Sequence, residues 1–196
     1  MHFASGRTAR LFETSPGMAL KLYEAWMPES AVLHEIHAMR TAYELGVPVP
    51  WPAEHVVREG KHGILMPKLQ GLNGMERLLA DLGRADDDAR ELADLHARIL
   101  EREAPEMPDR KATLQRRIEG LACFDRREKE ELLSLLERLP DGPRLIHGDF
   151  HPGNLLWSKA GSATVLDWID AGRGDPAADV ARSAVLFGWG TPESEQ

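Results

Sequence analysis

The stretch Leu145-Ile146-His147-Gly148-Asp149-Phe150-His151-Pro152-Gly153-Asn154-Leu155-Leu156-Trp157, followed downstream by Val165-Leu166-Asp167-Trp168, decides how this 196-residue chain is read. Arg144 to His147, Leu155 to Trp157 and Thr164 to Trp168 are short apolar runs with strand character. Between the first two lies a polar loop, punctuated by Gly148 and by Pro152-Gly153, that gathers Asp149, Asn154 and two histidines. Rigid strands on either side of a polar loop are what a preorganised site needs. Asp167 follows Val165-Leu166, where a carboxylate is costly to bury without a counter-charge or a metal. Asp149, Asn154 and Asp167 together are hard oxygen donors of the kind Mg2+ prefers. His147-x-Asp149-x-His151 alternates like ligands on a strand, but Gly148 and Pro152-Gly153 break that strand and no third histidine is well placed for a transition metal. His147 is read instead as a residue that hydrogen-bonds backbone and orients the loop.

Working outward, the residues before Gly71 read as strands plus one helix. Ala9 to Glu13 and Met18 to Tyr23 flank Ser15-Pro16-Gly17 and predict a hairpin. Pro28-Glu29-Ser30 opens a helix that ends near Gly46, with Val32, Ile36, Met39 and Tyr43 on one stripe. Pro48, Pro50 and Pro52 impose an extended connection. Two more strands are predicted, over 55–58 and 62–69. From Gly71 to about Leu139 the period becomes helical: Asp86 to Arg102 with Leu92, Leu95 and Ile99 inward, then a helix marked by Leu114, Ile118 and Leu121, then one marked by Leu132, Leu135, Leu136 and Leu139. Asp86-Asp87-Asp88 complements a helix N-terminus. His96 reads as a satisfied core histidine. The change of period near Gly71 divides the chain into an N-terminal lobe, 1–70, and a mainly helical C-terminal lobe, 71–196.

Composition narrows the function classes. With 42% hydrophobic and 29% charged residues the chain is ordinary for a globular domain, which excludes a disordered tail, a collagen-like chain and a coiled coil. The formal charge of −8 argues against nucleic acid, whose phosphate backbone calls for a basic face. The single cysteine, Cys123, permits neither an internal disulfide nor a CxxC site, as in a reducing compartment. No apolar h-region opens the chain and no apolar run approaches the ~20 residues that span a bilayer. The expectation is a cytoplasmic protein that engages neither membrane nor nucleic acid.

His147-Gly148-Asp149-Phe150-His151-Pro152-Gly153-Asn154 followed by Leu166-Asp167-Trp168-Ile169-Asp170 resembles the catalytic segment of the aminoglycoside phosphotransferase and choline kinase group, small-molecule kinases of the protein-kinase-like fold. The resemblance implies that Asp149 is the catalytic aspartate, which orients the substrate hydroxyl and accepts its proton. It implies that Asn154 and Asp167 hold Mg2+. It also places Asp175 and Asp179, in Gly174-Asp175-Pro176-Ala177-Ala178-Asp179, as residues that cap and brace the loop.

The same resemblance requires a lysine on the third strand and a glutamate on the following helix. Lys21 lies inside the apolar strand Ala19-Leu20-Lys21-Leu22, on the opposite face from Met18, Leu20 and Leu22. Glu35 sits on the apolar stripe of the helix, where a lone carboxylate would be expensive, and a buried Lys21–Glu35 pair accounts for both. Ser5-Gly6-Arg7-Thr8 occupies the place of the phosphate-covering turn, without a full GxGxxG and with a first strand nearly absent. Met66-Pro67-Lys68-Leu69 matches the hinge, where Pro67 is expected to accept from the adenine and Leu69 to donate. Relatives in this group carry further helices that line the acceptor pocket, beyond the point where this chain ends. A compact version, a shortened chain and a pocket completed by a partner, which would favour a homodimer, are the alternatives.

The expected fold is therefore α+β, two-lobed and protein-kinase-like, with a small antiparallel N-lobe sheet, one N-lobe helix and a mainly helical C-lobe. The expected activity is transfer of the γ-phosphoryl of ATP or GTP, with Mg2+, to a hydroxyl of a small molecule such as an aminoglycoside, a choline-like compound or a sugar metabolite. A kinase acting on protein and a nucleotide-binding module without turnover are the other classes.

Overall fold

The computed structural model describes residues 2–189. Five antiparallel strands form the N-terminal sheet: β1 (His2–Ser5), β2 (Ala9–Ser15), β3 (Met18–Tyr23), β4 (Glu54–Arg58) and β5 (Lys61–Pro67), in the order β1-β2-β3-β5-β4. The first strand, which the sequence left nearly absent, is present and pairs with β2, Ser5 opposite Arg10. Lys21 of the central strand β3 lies opposite Leu11 on one side and Ile64 on the other.

Helix α1 (Glu29–Glu44) packs against this sheet. Its stripe buries Val32, Ile36 and Met39, and burying an aliphatic side chain of this size stabilises by about 1.5–3 kcal/mol. Tyr43 departs from the predicted stripe. It is half-exposed and stacks on Trp51 at 5.8 Å, while the small Ala38 and Ala42 take the inward positions and let the helix approach closely.

Beyond β5 the chain leaves the first sheet. β6 (Leu72–Asn73) pairs with β8 (Leu155–Trp157), which pairs with β9 (Ala163–Val165), and β7 (Arg144–Ile146) pairs with β10 (Gly172–Gly174). Around these short strands lie α2 (Gly74–Ala80), α3 (Ala85–Leu100), α4 (Arg110–Gly120), α5 (Arg126–Arg138) and α6 (Pro176–Trp189). In α3, Leu95 and Ile99 are buried and Leu92 packs beside them. In the α4–α5 pair only Leu136 is buried among the predicted leucines. Leu135 and Leu139 are half-exposed, and Leu121 and Leu139 lie past the helix ends. The strand expected over 164–168 stops at Val165, because Asp167 turns left-handed and Trp168–Asp170 winds into a 3₁₀ turn. Strands β6 and β10 and helix α2 were not anticipated; each is too short to show a period.

Candidate active site

The loop after β7 is held from behind by a carboxylate. Asp179, buried on α6, accepts hydrogen bonds from His147 N (2.8 Å) and Gly148 N (2.7 Å) and pairs with His96 Nε2 at 3.1 Å. Burial would raise the Asp179 carboxyl, but the His96 hydrogen bond and the His147 contacts outweigh it and hold it below the ordinary value. Asp179 thus braces the loop, and His96 is the satisfied core histidine that the apolar stripe implied. Its ring stacks on Phe150 at 4.1 Å. Gly148 has φ +80°, and a Cβ there would stand 2.3 Å from Asp170 O, so no other residue fits this turn. His147 is fully buried and burial pushes its pKa down. Its Nε2–H donates to Leu166 O (2.9 Å) and its Nδ1 accepts from Asp149 N (3.3 Å). Both ring nitrogens are engaged by protein, in keeping with an orienting residue and not a metal ligand.

Asp149 faces outward from this support. One carboxylate oxygen is 3.1 Å from Arg182 Nη2 of α6, and the other is 3.5 Å from His151 Nε2. The hydrogen bond from His151, with the charges of His151 and Arg182, lowers the Asp149 pKa to about 2 against the opposing effect of burial. Asn154 Nδ2 donates to Asp149 O (2.9 Å) and to Asp149 Oδ2 (3.3 Å), which leaves Oδ1 as the amide's acceptor. Leu166 N donates to Asn154 O (2.8 Å), so the segment that leads from β9 to Asp167 runs directly beside Asn154.

Asp167 adopts φ 60°, ψ 67°, in the left-handed region that a non-glycine residue enters at a cost of about 1–3 kcal/mol. Its Oδ1 accepts from Lys21 Nζ at 2.8 Å. The same ammonium donates to Glu35 Oε1 and Oε2, at 2.8 and 3.0 Å. Burial would lower the Lys21 pKa, but Glu35 and Asp167 outweigh it and raise it well above the usual value, so the ammonium stays charged. The Tyr23 hydroxyl, two residues along the same face of β3, donates to Glu35 Oε2; burial first, and then the Glu35 charge, push its pKa up. Three hydrogen bonds from two side chains therefore satisfy one buried carboxylate.

Lys21, Glu35, Asp167, Asn154 and Asp149 come together in this way. The Ser5-Gly6-Arg7-Thr8 turn and the segment Pro67–Leu69 are connected to them through the sheet. Gly6 N donates to Ala9 O (2.8 Å), which closes the turn between β1 and β2, the strand that flanks Lys21. Pro67 is opposite Met18, and Lys68 N donates to Gly17 O (2.8 Å), so this N–H is already engaged within the sheet. Sequence reasoning missed Tyr23, His34, Arg182 and Ser183. Tyr23 carried a signal, its i+2 relation to Lys21. So did Arg182 and Ser183, three and four residues after Asp179 on one helix face; Ser183 Oγ donates to Phe150 O (2.7 Å). His34 Nε2 is 3.0 Å from Ala171 O, and nothing in its sequence neighbourhood pointed there.

Known proteins carry the same architecture. The chain superposes on an aminoglycoside-3'-phosphotransferase of type VIII with a TM-score of 0.68, at 23% identity, covering 100% of this chain and 87% of that one. It superposes on a thermostable mutant of aminoglycoside phosphotransferase APH(4)-Ia, in ternary complex with ADP and hygromycin B, with a TM-score of 0.69 at 16% identity, covering 96% and 72%. These likenesses establish the kinase-like fold. Among curated sequences, acyl-CoA dehydrogenase family member 11 of Gallus gallus is 29% identical over 179 residues, which is 80% of this chain but 23% of that protein, so the chain spans about a quarter of that relative's length. The model of the phosphotransferase enzyme family matches residues 3–196, and with that match over a site built from Lys21, Glu35, Asp149, Asn154 and Asp167 the chain belongs to the phosphotransferase enzyme family.

Proposed function

We propose that this protein transfers the γ-phosphoryl group of ATP or GTP to a hydroxyl of a small molecule, in the range from aminoglycoside to choline-like compound or sugar. The observation that carries the reading is the bridge of Lys21 between buried Glu35 and Asp167, beside the Asp149–Asn154 pair. A structural ion pair would need one carboxylate. A lysine held by two, one of them on a left-handed residue just past a strand, is a group positioned for phosphate oxygens. Lys21 would contact the α- and β-phosphates, under the Ser5–Thr8 turn, with the adenine or guanine against Pro67 and Leu69.

The donor set fits Mg2+. Asp167 offers a carboxylate and Asn154 an amide oxygen whose orientation is fixed by its own N–H bonds to Asp149. Mg2+ bound there would neutralise charge on the phosphate oxygens. Asp149 would accept a hydrogen bond from the acceptor hydroxyl and aim its oxygen at the γ-phosphorus. The new O–P bond forms as the bond to the β–γ bridging oxygen breaks, and the nucleoside diphosphate leaves. A carboxylate with a pKa of about 2 is a weak base, so the hydroxyl proton reaches Asp149 late, once the oxygen has lost electron density to phosphorus. Positioning and charge neutralisation therefore supply most of the acceleration. The formal charge of −8 supports a small-molecule acceptor over nucleic acid.

Thermal unfolding with ATP and with GTP, each with and without Mg2+, tests this. Nucleotide at 100 times its Kd stabilises by about 2.7 kcal/mol, a readily measured rise in Tm. The expected result is a Mg2+-dependent rise that Asp167→Ala abolishes; no rise with either nucleotide would refute the reading.

A further inference from the structure

We propose that Glu29, His55 and His62 form a site for one divalent transition metal of the Zn2+ class, on the N-terminal sheet and apart from the candidate active site. Val57 pairs with His62 and His55 with Ile64, so the two histidines sit diagonally on one face of the β4–β5 hairpin. Their rings stack 5.3 Å apart at 14°, with His55 Nε2 3.1 Å from His62 Nδ1. Glu29 opens α1 and brings Oε1 to 4.0 Å from the Nδ1 of both rings. One donor atom from each residue lies within 4.8 Å of the others.

A tetrahedral ion with bonds of ~2.0–2.1 Å sets its ligand atoms about 3.3 Å apart. One donor atom per residue within 4.8 Å leaves separations at most about 1.5 Å wider than that, and Glu29 is exposed, so its side chain can make most of the adjustment. The partial exposure of both histidines provides an entry path and an open fourth position for water. Two imidazoles and one carboxylate favour Zn2+, Co2+ or Ni2+ over Mg2+, so the site does not compete for the ion of phosphoryl transfer.

The location gives such an ion a consequence. Glu29 is on the helix that carries Glu35, and His62 is two residues from Ile64, the partner of Lys21 across the sheet. A metal here clips α1 to the hairpin and steadies the Lys21–Glu35 contact.

Co2+ titration of tag-free full-length protein in excess Mg2+, read by its visible spectrum, tests the site directly. The expected result is one equivalent bound with the intense absorption of tetrahedral Co2+, displaced by Zn2+. Losing an outer-shell partner of a metal typically costs 10–100-fold in affinity, so removing a ligand in His55→Ala or His62→Ala should weaken binding by at least ~10-fold. Glu29→Gln should weaken it too, and this exposed position leaves the fold intact should either histidine variant fail to fold. Asp167→Ala should bind as wild type does. A spectrum that stays that of hydrated Co2+, or equal binding by wild type and all three ligand variants, would overturn the proposal, as would loss of binding in Asp167→Ala alone.

Discussion

Asp167 holds a left-handed backbone that asparagine adopts more readily than most residues. Asp167→Asn should therefore keep the fold, with a Tm within a few degrees of wild type, while phosphoryl transfer falls by about 10²–10³-fold, the scale on which one transition-state contact is lost. Turnover near the wild-type rate would remove Asp167 from the machinery. Lys21 and Tyr23 divide differently. Lys21→Met leaves the Glu35 carboxylate buried without its counter-charge and should cost about 3–5 kcal/mol in chemical denaturation. Tyr23→Phe removes one neutral donor from the same carboxylate and should cost about 1–3 kcal/mol. The Lys21–Glu35 contact was legible because a lysine in an apolar strand and a glutamate on an apolar stripe are each anomalous alone. The Tyr23 contact was passed over, because a tyrosine in a strand is ordinary and only its i+2 relation to Lys21 marked it. Arg182 escaped for the same reason, as an arginine on a helix is usually solvated. Asp149 bears on pH directly: with its pKa at about 2 it is ionised throughout the accessible range, so an acid limb of activity above pH 4 should persist in a profile of kcat/KM and cannot be its titration.

At the scale of elements, α6 is the brace of the loop that follows β7. Asp179, Arg182 and Ser183 follow one another at helical spacing and contact successive residues of 147–150. Asp179→Ala would strip two buried N–H groups of their acceptor. A buried donor left unsatisfied costs about 1–3 kcal/mol, so the variant should lose at least that much stability and turnover together. Asp179→Asn, which keeps an acceptor, should recover part of both. The long elements were legible from period alone, since α1, α3 and β3 each bury one face against a large core. The α4–α5 pair was misjudged in detail because it has little core to face. Its leucines lie around a shallow contact, where the sequence pattern cannot say which of them turn inward.

For the molecule as a whole, acid sensitivity follows from one buried and one partly buried histidine. Burial depresses His147 and His34, so the unfolded chain takes up protons that the folded chain refuses. Stability is then full above about pH 6.5, the ordinary histidine value, and is lost as pH falls below it. Tm measured from pH 8 down to pH 5 should decline through this window, and a flat profile would contradict the burial of His147. The architecture was legible at this scale because the motifs occur in the order of the kinase-like fold. Acceptor identity was not, because the residues that select a small molecule need share no spacing or period.

The His34–Ala171 hydrogen bond and the packing of α1 on the Trp168–Asp170 turn have one more consequence. They moor the helix to the segment that carries Asp167, whereas Lys21 travels with the sheet. Because α1 also packs on β4 and β5, rocking of the sheet over the helical body would load α1 from both sides, and the Lys21–Asp167 contact spans the same join. That contact is a built-in gauge, and a pair of spectroscopic labels on β3 and on the Trp168–Asp170 turn would report movement between the two segments as a single distance.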